Sequence, residues 1–311
     1  MEWAIETRGL RKTYGRKTEA LKPMDLQVPL GSCFGLLGPN GAGKSTLVKT
    51  LLSITHASGG DATLLGRDFR GTESRRRIGY LPEGHNFPGY LDGRGVCRYF
   101  GRLAGLSGDA LEKGIEEKLE LVGMAESAKV KISKCSKGMK QRIGLAQALL
   151  GDPRLVFLDE PTDGIDPVGR AEVREVIKDI ARRGVTVFLN SHLLSEVELM
   201  CDRIAIMDKG RILQSGSVQE IVASVGAKDG RALVRFRCSA IPEALLQELI
   251  GMGATADAEG FSLPTADAAA TTSVIDRLRQ AGVTIAAVEP RRLSLEDAFI
   301  RLVSEDEGAS S

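Results

Sequence analysis

Nine consecutive residues, Gly38, Pro39, Asn40, Gly41, Ala42, Gly43, Lys44, Ser45 and Thr46, can hold a polyphosphate. Gly38, Gly43, Lys44 and Ser45 fit the spacing G-x-x-x-x-G-K-[ST]. An apolar run from Cys33 to Leu37 precedes them, and Leu47, Val48, Leu51 and Leu52 follow at helical spacing. A strand, a glycine-rich turn and a helix are the setting in which this spacing cradles phosphate. The glycines let backbone N–H groups curl around an anion, and the start of the helix adds the positive end of its dipole. In that setting Lys44 reaches the β- and γ-phosphates and the Ser45 hydroxyl ligates Mg²⁺. A plain glycine turn ahead of a helix needs neither the lysine nor the hydroxyl. The run is therefore read as a nucleoside triphosphate site.

Other residues have the types that hydrolysis of such a ligand needs. The apolar run Leu155 to Leu158 closes on Asp159 and Glu160. An aspartate at a strand end, outside the carboxyl edge of a parallel sheet, can hold Mg²⁺ through water. The next carboxylate can then polarise an attacking water as general base. Two surface acids at a strand terminus are the plainer alternative. Ser136, Lys137 and Gly138 open a helical stretch, where a hydroxyl and amides make a second anion site, although most such turns are only caps. Val185 to Leu189 reads as a strand that runs through Asn190 and Ser191 to His192, and a histidine there is more often structural than catalytic. Tyr14, after Lys12 and Thr13, offers an aromatic ring that by itself fits a core equally well.

These residues need a scaffold, and the pattern describes one. Trp3 and Ile5 open a strand, Tyr14 and Gly15 turn it, and a second strand lies near Met24 to Val28. Gly59 to Asp61 and Gly66 to Asp68 mark turns around a short strand, and Arg77 to Pro82 is a strand and its stop. Residues 93–126 carry Val96, Phe100, Leu103, Ile115, Leu119 and Val122 at helical spacing, and a further helix starts near Ser136. Leu155 to Leu158 and Val185 to Leu189 are continuous apolar strands separated by a helix through Val173, Val176, Ile177 and Ile180. Such alternation predicts a mainly parallel sheet covered on both faces.

A linker is expected at Gly226 to Gly230. After it come a strand (Ala232 to Phe236), two helices (Glu243 to Ile250 and Thr271 to Gln280), a strand (Val283 to Val288) and a last helix. That helix runs from Ser294, its N-cap, to Val303. The division expected is residues 1–225 as the nucleotide domain with a helical part at about 87–150. A small α+β domain at 229–303 and a flexible polar tail at 304–311 complete it.

Composition narrows the class. At 311 residues the chain has room for one large α/β domain and a smaller one. A net charge of +1 supplies no basic field for nucleic acid, and Arg75, Arg76 and Arg77 read as a solvated turn. Five cysteines, odd in number and without C-x-x-C spacing, fit a reducing compartment with neither a disulfide framework nor a zinc site. The charged opening lacks a signal-peptide core, and no apolar stretch approaches the ~18 residues of a membrane span. A soluble protein is expected.

Taken together and in this order, the motifs resemble those of the ATP-binding subunits of ABC transporters, most of all those serving ABC-2-type exporters. The resemblance covers about Ala4 to Val222. It implies a phosphate-loop ATPase core with a mainly parallel sheet, an antiparallel N-terminal β subdomain and a helical subdomain, followed by the small α+β domain. By it, Tyr14 stacks on adenine, Asp159 holds Mg²⁺, Glu160 is the catalytic glutamate, and His192 is a switch histidine near the γ-phosphate. Ser136 and Gly138 belong to a signature loop that caps ATP bound on a second copy, and Asp163 to Asp166 join the two sites. The run Leu293 to Phe299 is similar to a tail of many exporter subunits. Glu83, after Leu81 and Pro82, takes the place of the usual glutamine that senses γ-phosphate and Mg²⁺, and a glutamate still presents an oxygen there. Cys135, Lys137 and Met139 replace the usual leucine, glycine and glutamine around Ser136 and Gly138.

The resemblance further implies a homodimer around two ATP molecules and a separate integral-membrane permease that docks on the segment from Phe87 to Glu126. It places the chain at the inner face of the cell membrane. The other reading is a non-transport ATPase of the same type acting on nucleic acid or ribosomes. Against it, fewer than a hundred residues separate Thr46 from Ser136, without the heptads of a coiled coil, and the chain holds one phosphate loop.

Overall fold

The computed structural model describes residues 2–15, 18–229, 232–265, 268–290 and 294–309. The chain divides into two compact units, Met1–Val218 and Gln219–Ser311.

In the first unit, β1 (Trp3–Tyr14) and β2 (Thr18–Pro29) form an antiparallel hairpin in which Tyr14 faces Thr18. β3 (Cys33–Leu37) runs into helix α1 (Lys44–Leu51). β4 (Gly59–Leu64) and β5 (Arg67–Asp68) then extend the hairpin into a four-stranded antiparallel sheet, in the order β2-β1-β4-β5. The short α2 (Thr72–Arg75) precedes β6 (Ile78–Leu81), and three helices follow: α3 (Gly93–Leu103), α4 (Gly108–Leu121) and α5 (Lys137–Ala148). β7 (Leu155–Asp159), α6 (Pro167–Arg182), β8 (Thr186–Asn190), α7 (Leu194–Met200), β9 (Arg203–Asp208) and β10 (Arg211–Ser217) complete the unit.

The six-stranded sheet has the order β10-β9-β3-β8-β7-β6, parallel from β9 to β6, with β10 antiparallel at its edge. β3, β7 and β8 are buried at every residue, as their unbroken apolar runs require of a sheet covered on both faces. Phe34, Phe157 and Phe188 pack within it and join the core beneath the hairpin sheet.

The second unit comprises α8 (Val218–Asp229), β11 (Ala232–Cys238), α9 (Glu243–Gly251), β12 (Thr255–Asp257), β13 (Gly260–Thr265), α10 (Ala268–Gln280), β14 (Ile285–Pro290) and α11 (Leu295–Ala309). Its antiparallel sheet runs β12-β13-β11-β14 and carries its own core around Phe236, Phe261, Leu249 and Leu278.

The structure departs from the pattern in several places. The helical stretch expected over 93–126 is two helices. Gly105 at φ +85 ends α3: its N–H donates to Arg102 O at 3.0 Å and the Leu106 N–H to Gly101 O at 2.9 Å, a Schellman closure. The expected linker at 226–230 is helical through Asp229, and the chain divides at Val218 rather than Val225; Gly230 lies outside the described residues. Alanine and lysine favour helix there, and Gly226 opposes it by only about 1 kcal/mol. The polar tail expected from 304 continues α11 to Ala309. Ser294 caps that helix, accepting from the Asp297 N–H at 3.1 Å while Asp297 accepts from the Ser294 N–H at 2.9 Å. Leu293 lies outside the described residues. β9, β10, β12 and β13 are strands that the periodicity did not mark.

Candidate functional site

The phosphate-loop residues lie between the end of β3 and the start of α1, at the carboxyl edge of the parallel sheet. Close backbone approach dictates two of the glycines. A Cβ on Gly43, whose φ is +105, would stand 2.6 Å from the Ala20 carbonyl oxygen, and one on Gly38 would collide with that of Met207. Lys44 opens α1 and folds back over the loop, donating from Nζ to Gly38 O at 2.7 Å and Pro39 O at 3.2 Å.

Across from the loop stand the ends of β7 and β8. Asp159 pairs in register with Asn190, whose Nδ2 donates to Asp159 Oδ1. Glu160 adopts φ +49, a left-handed conformation that costs a non-glycine residue on the order of 1–3 kcal/mol. Three contacts hold it there. Its N–H donates to Asn190 O at 2.9 Å, His192 Nδ1 lies 2.8 Å from Oε1, and Ser191 Oγ donates to Oε2 at 3.3 Å. The Ser191 hydroxyl is fixed in turn by the Leu193 N–H at 3.1 Å. The Glu160 side chain is nearly buried, whereas that of His192 is half exposed.

One open cavity of about 370 Å³ lies here, lined by the residues from Asn40 to Thr46 with Ala20, Glu83, Glu160, Asp163, Asn190 and His192; Asp159 is not among its lining residues. The volume lies within the range of ligand sites. Its electrostatics are strained. Burial raises the Asp159 pKa, the Asn190 hydrogen bond opposes that rise, and the carboxylates of Glu83 and Glu160 add to it. Burial lowers the Lys44 pKa against the pull of Glu160, Asp159 and Glu83. Tyr80, on β6, is pushed up to about 12 by burial and by Asp159 and Glu83.

A divalent cation fits this arrangement. The carboxylates of Glu160, Asp159 and Glu83 all act on Lys44, and the buried Oδ1 of Asn190 has no hydrogen-bond partner among the described residues. Among the described residues no three His, Cys, Asp or Glu side chains are grouped to hold a metal by themselves. That suits Mg²⁺, which binds through one or two carboxylates and keeps water and phosphate as its other ligands.

Not every candidate joins the cavity. Tyr14 ends β1 with its ring exposed and Lys12 Nζ 4.7 Å from the ring centroid. Ser136 is the N-cap of α5, its Oγ accepting from the Met139 N–H at 3.2 Å. A Cβ on Gly138 would meet Ile165 at 3.4 Å, and Lys137 Nζ lies 3.2 Å from Asp163 Oδ2. The α5 entry thus packs on the loop 163–166, and neither Ser136 nor Gly138 lines the cavity of its own chain. Two residues absent from the sequence-based candidates do structural work here, Asn190 on Asp159 and Ser191 on Glu160. Their signal was an amide and a hydroxyl closing an otherwise apolar strand.

Comparison with known proteins gives the family. Residues 21–163 match the family described as ABC transporter. The chain is 39% identical over 310 residues to an ABC transporter ATP-binding protein of Synechocystis sp., covering 97% of this chain and 85% of that one. It is 34% identical over 306 residues to the daunorubicin resistance ATP-binding protein DrrA3 of Streptomyces coeruleorubidus, covering 97% and 96%. Both matches run through the second unit. A solved ATP-binding subunit of an ABC transporter superposes with a TM-score of 0.64 at 27% identity, over 72% of this chain and 93% of that one. A dimeric ATP-binding cassette bound to ADP and Pi in a post-hydrolysis state shares the fold, with a TM-score of 0.62 at 22% identity over 68% and 98%.

Proposed function

Because the chain belongs to the ATP-binding subunits of ABC transporters, a family of ATPases, we propose that it dimerises around two ATP molecules and powers export by a separate membrane permease. The observation that carries the chemistry is Glu160. A nearly buried carboxylate, held at positive φ by His192 and Ser191, faces the same cavity as Lys44. A strained backbone over-determined by its neighbours is the signature of a group placed for a task.

In this reading the N–H groups from Gly41 to Thr46 cradle the phosphates, and Lys44 exchanges the carbonyls of Gly38 and Pro39 for β- and γ-phosphate oxygens. Ser45 and Asp159, with Glu83, hold Mg²⁺, which when bound neutralises charge on the phosphates. Glu160 accepts the proton of the attacking water, and His192 fixes its carboxylate beside the γ-phosphate. Tyr14 stacks on adenine from the end of the hairpin. Ser136 and Gly138 do not line their own chain's cavity, which supports their acting on ATP held by a second copy. No helix among the described residues is long and apolar enough to cross a membrane; transport is assigned to a separate permease, on which the chain docks through residues 87–126 at the inner face of the cell membrane. Relatives named for daunorubicin resistance and Nod factor export favour an exporter over an ATPase acting on nucleic acid or ribosomes. Residues 229–303 are assigned to an accessory domain.

Light scattering tests the assembly. Glu160→Gln with Mg-ATP is expected to move the protein from monomer to dimer, and Ser136→Arg to prevent the shift. One unchanged mass across all samples would remove the composite site. Co-purification of a membrane protein with the chain tests the permease.

A further inference from the structure

Lys137 is an odd residue at the place it occupies. It is the first residue of α5, a 12-residue helix, where a cation opposes the helix dipole. Its ammonium lies 3.2 Å from Oδ2 of Asp163, which lines the nucleotide cavity of the same chain. The loop passes close beside this lysine. Gly164 sits at φ +60, and a Cβ there would come within 3.1 Å of the Lys137 Cε and 3.3 Å of its Cδ. Yet the pair is weak. Both side chains are at least half exposed, 57% and 50%, and an exposed pair of this kind is screened and easily broken.

We propose that Lys137 is a further phosphate-binding residue, held by Asp163 in the single subunit and passed to the γ-phosphate of ATP on a second copy when two subunits close. The proposal rests on the composite-site reading above. Three features argue for it. Lys137 adjoins Ser136 and Gly138, so any anion that reaches their hydroxyl and amide comes within reach of a four-carbon stem. A phosphate carries more charge than Asp163 and offers three acceptor oxygens, and charge-assisted bonds of this kind are the stronger ones. Closure also takes the contact out of solvent, where the same two charges attract more. An N-terminal lysine that weakens its own helix becomes favourable once a phosphate stands opposite it.

The test uses the full chain carrying Glu160→Gln, titrated with Mg-ATP and followed by light scattering. Adding Lys137→Gln is expected to raise the ATP concentration for half-dimerisation by about tenfold, the scale of one lost charge-assisted contact. Lys137→Arg, which keeps the charge, should stay within about twofold of the parent. Added salt should weaken the parent's dimer more steeply than that of Lys137→Gln. A fluorescent ATP analogue, at protein concentrations below dimerisation, should bind all three equally. If Lys137→Gln dimerises at the parent's ATP concentration, Lys137 is only a surface partner of Asp163. If Lys137→Gln and Lys137→Arg are equally impaired, the charge is not what matters, and the inference fails. If the parent itself never dimerises, the composite site fails first and this inference falls with it.

Discussion

Strands β3, β7 and β8 of the first unit and strands β11 and β13 of the second draw on similar apolar residues, but their ends differ. In the parallel sheet, β3 leads to Lys44, β7 to Asp159 and Glu160, and β8 to Asn190 and His192, all at one edge. Parallel strands bring every carboxyl end to the same side, so groups far apart in sequence meet in one cavity. In the antiparallel sheet, neighbouring strands end on opposite edges, and its described residues put their effort into packing. Phe236 and Phe261 stack with ring centroids 4.8 Å apart. Arg235 grips Asp257 through two bonds of 2.5 and 2.7 Å near the surface. The first unit accepts a left-handed Glu160, a desolvated Lys44 and crowded carboxylates. The second accepts no comparable strain among its described non-glycine residues, none of which has positive φ.

The sharpest way to break that contrast is chemical. Glu160→Gln should lower ATP turnover by about 10²–10⁴-fold while ATP binding survives, since the base goes and the cradle stays. Steady-state hydrolysis beside equilibrium binding decides it, and a loss of ten-fold or less would mean that another group activates the water. Next in size, Phe236→Ala should destabilise the second unit by about 3–5 kcal/mol, because both stacked rings are fully buried. Calorimetry should show its transition move down with nucleotide binding by the first unit unchanged. A loss of ATP affinity would mean that the two units are energetically one.

Asp159→Asn tests whether the site stores strain. The Asp159 pKa is raised in the folded protein, chiefly by burial, so its ionised form weakens the fold at neutral pH. Asparagine should stabilise the ligand-free protein there while weakening Mg-ATP binding. Below the unfolded carboxylate value of about 3.9 the group is protonated in both states, and the gain should vanish. Thermal unfolding at neutral and acid pH measures it, and equal stability at neutral pH would show that the carboxylates are not in conflict. Smallest of all, Arg235→Ala should cost about 1 kcal/mol in chemical denaturation, since its bidentate pair with the half-exposed Asp257 lies at the upper end of what partly exposed ion pairs contribute.

Much of the first unit was legible from residue order because its signals are local. The phosphate loop, the apolar strands closed by carboxylates and the Ser136 cap each rest on neighbours within a few residues. The antiparallel edge strands β10 and β12 were not legible, since half-buried and exposed strands carry weak periodicity and depend on a partner for their form. Nor was the break between α3 and α4, where a single glycine closure interrupts an unbroken apolar stripe.

By itself, the sequence determined that this chain holds a phosphate loop on a parallel sheet and which carboxylates end the next strand. Backbone sterics and helix dipoles act at short range, and the residue types record them. Only the tertiary structure decided the rest. It set β8 between β3 and β7, so that Asn190 grips Asp159 while His192 and Ser191 turn Glu160 toward Lys44. It also laid Lys137 against Asp163, 26 residues away along the chain. Those contacts depend on strand order and on the geometry of loops that meet in space, and both arise from burying the sheet as a whole.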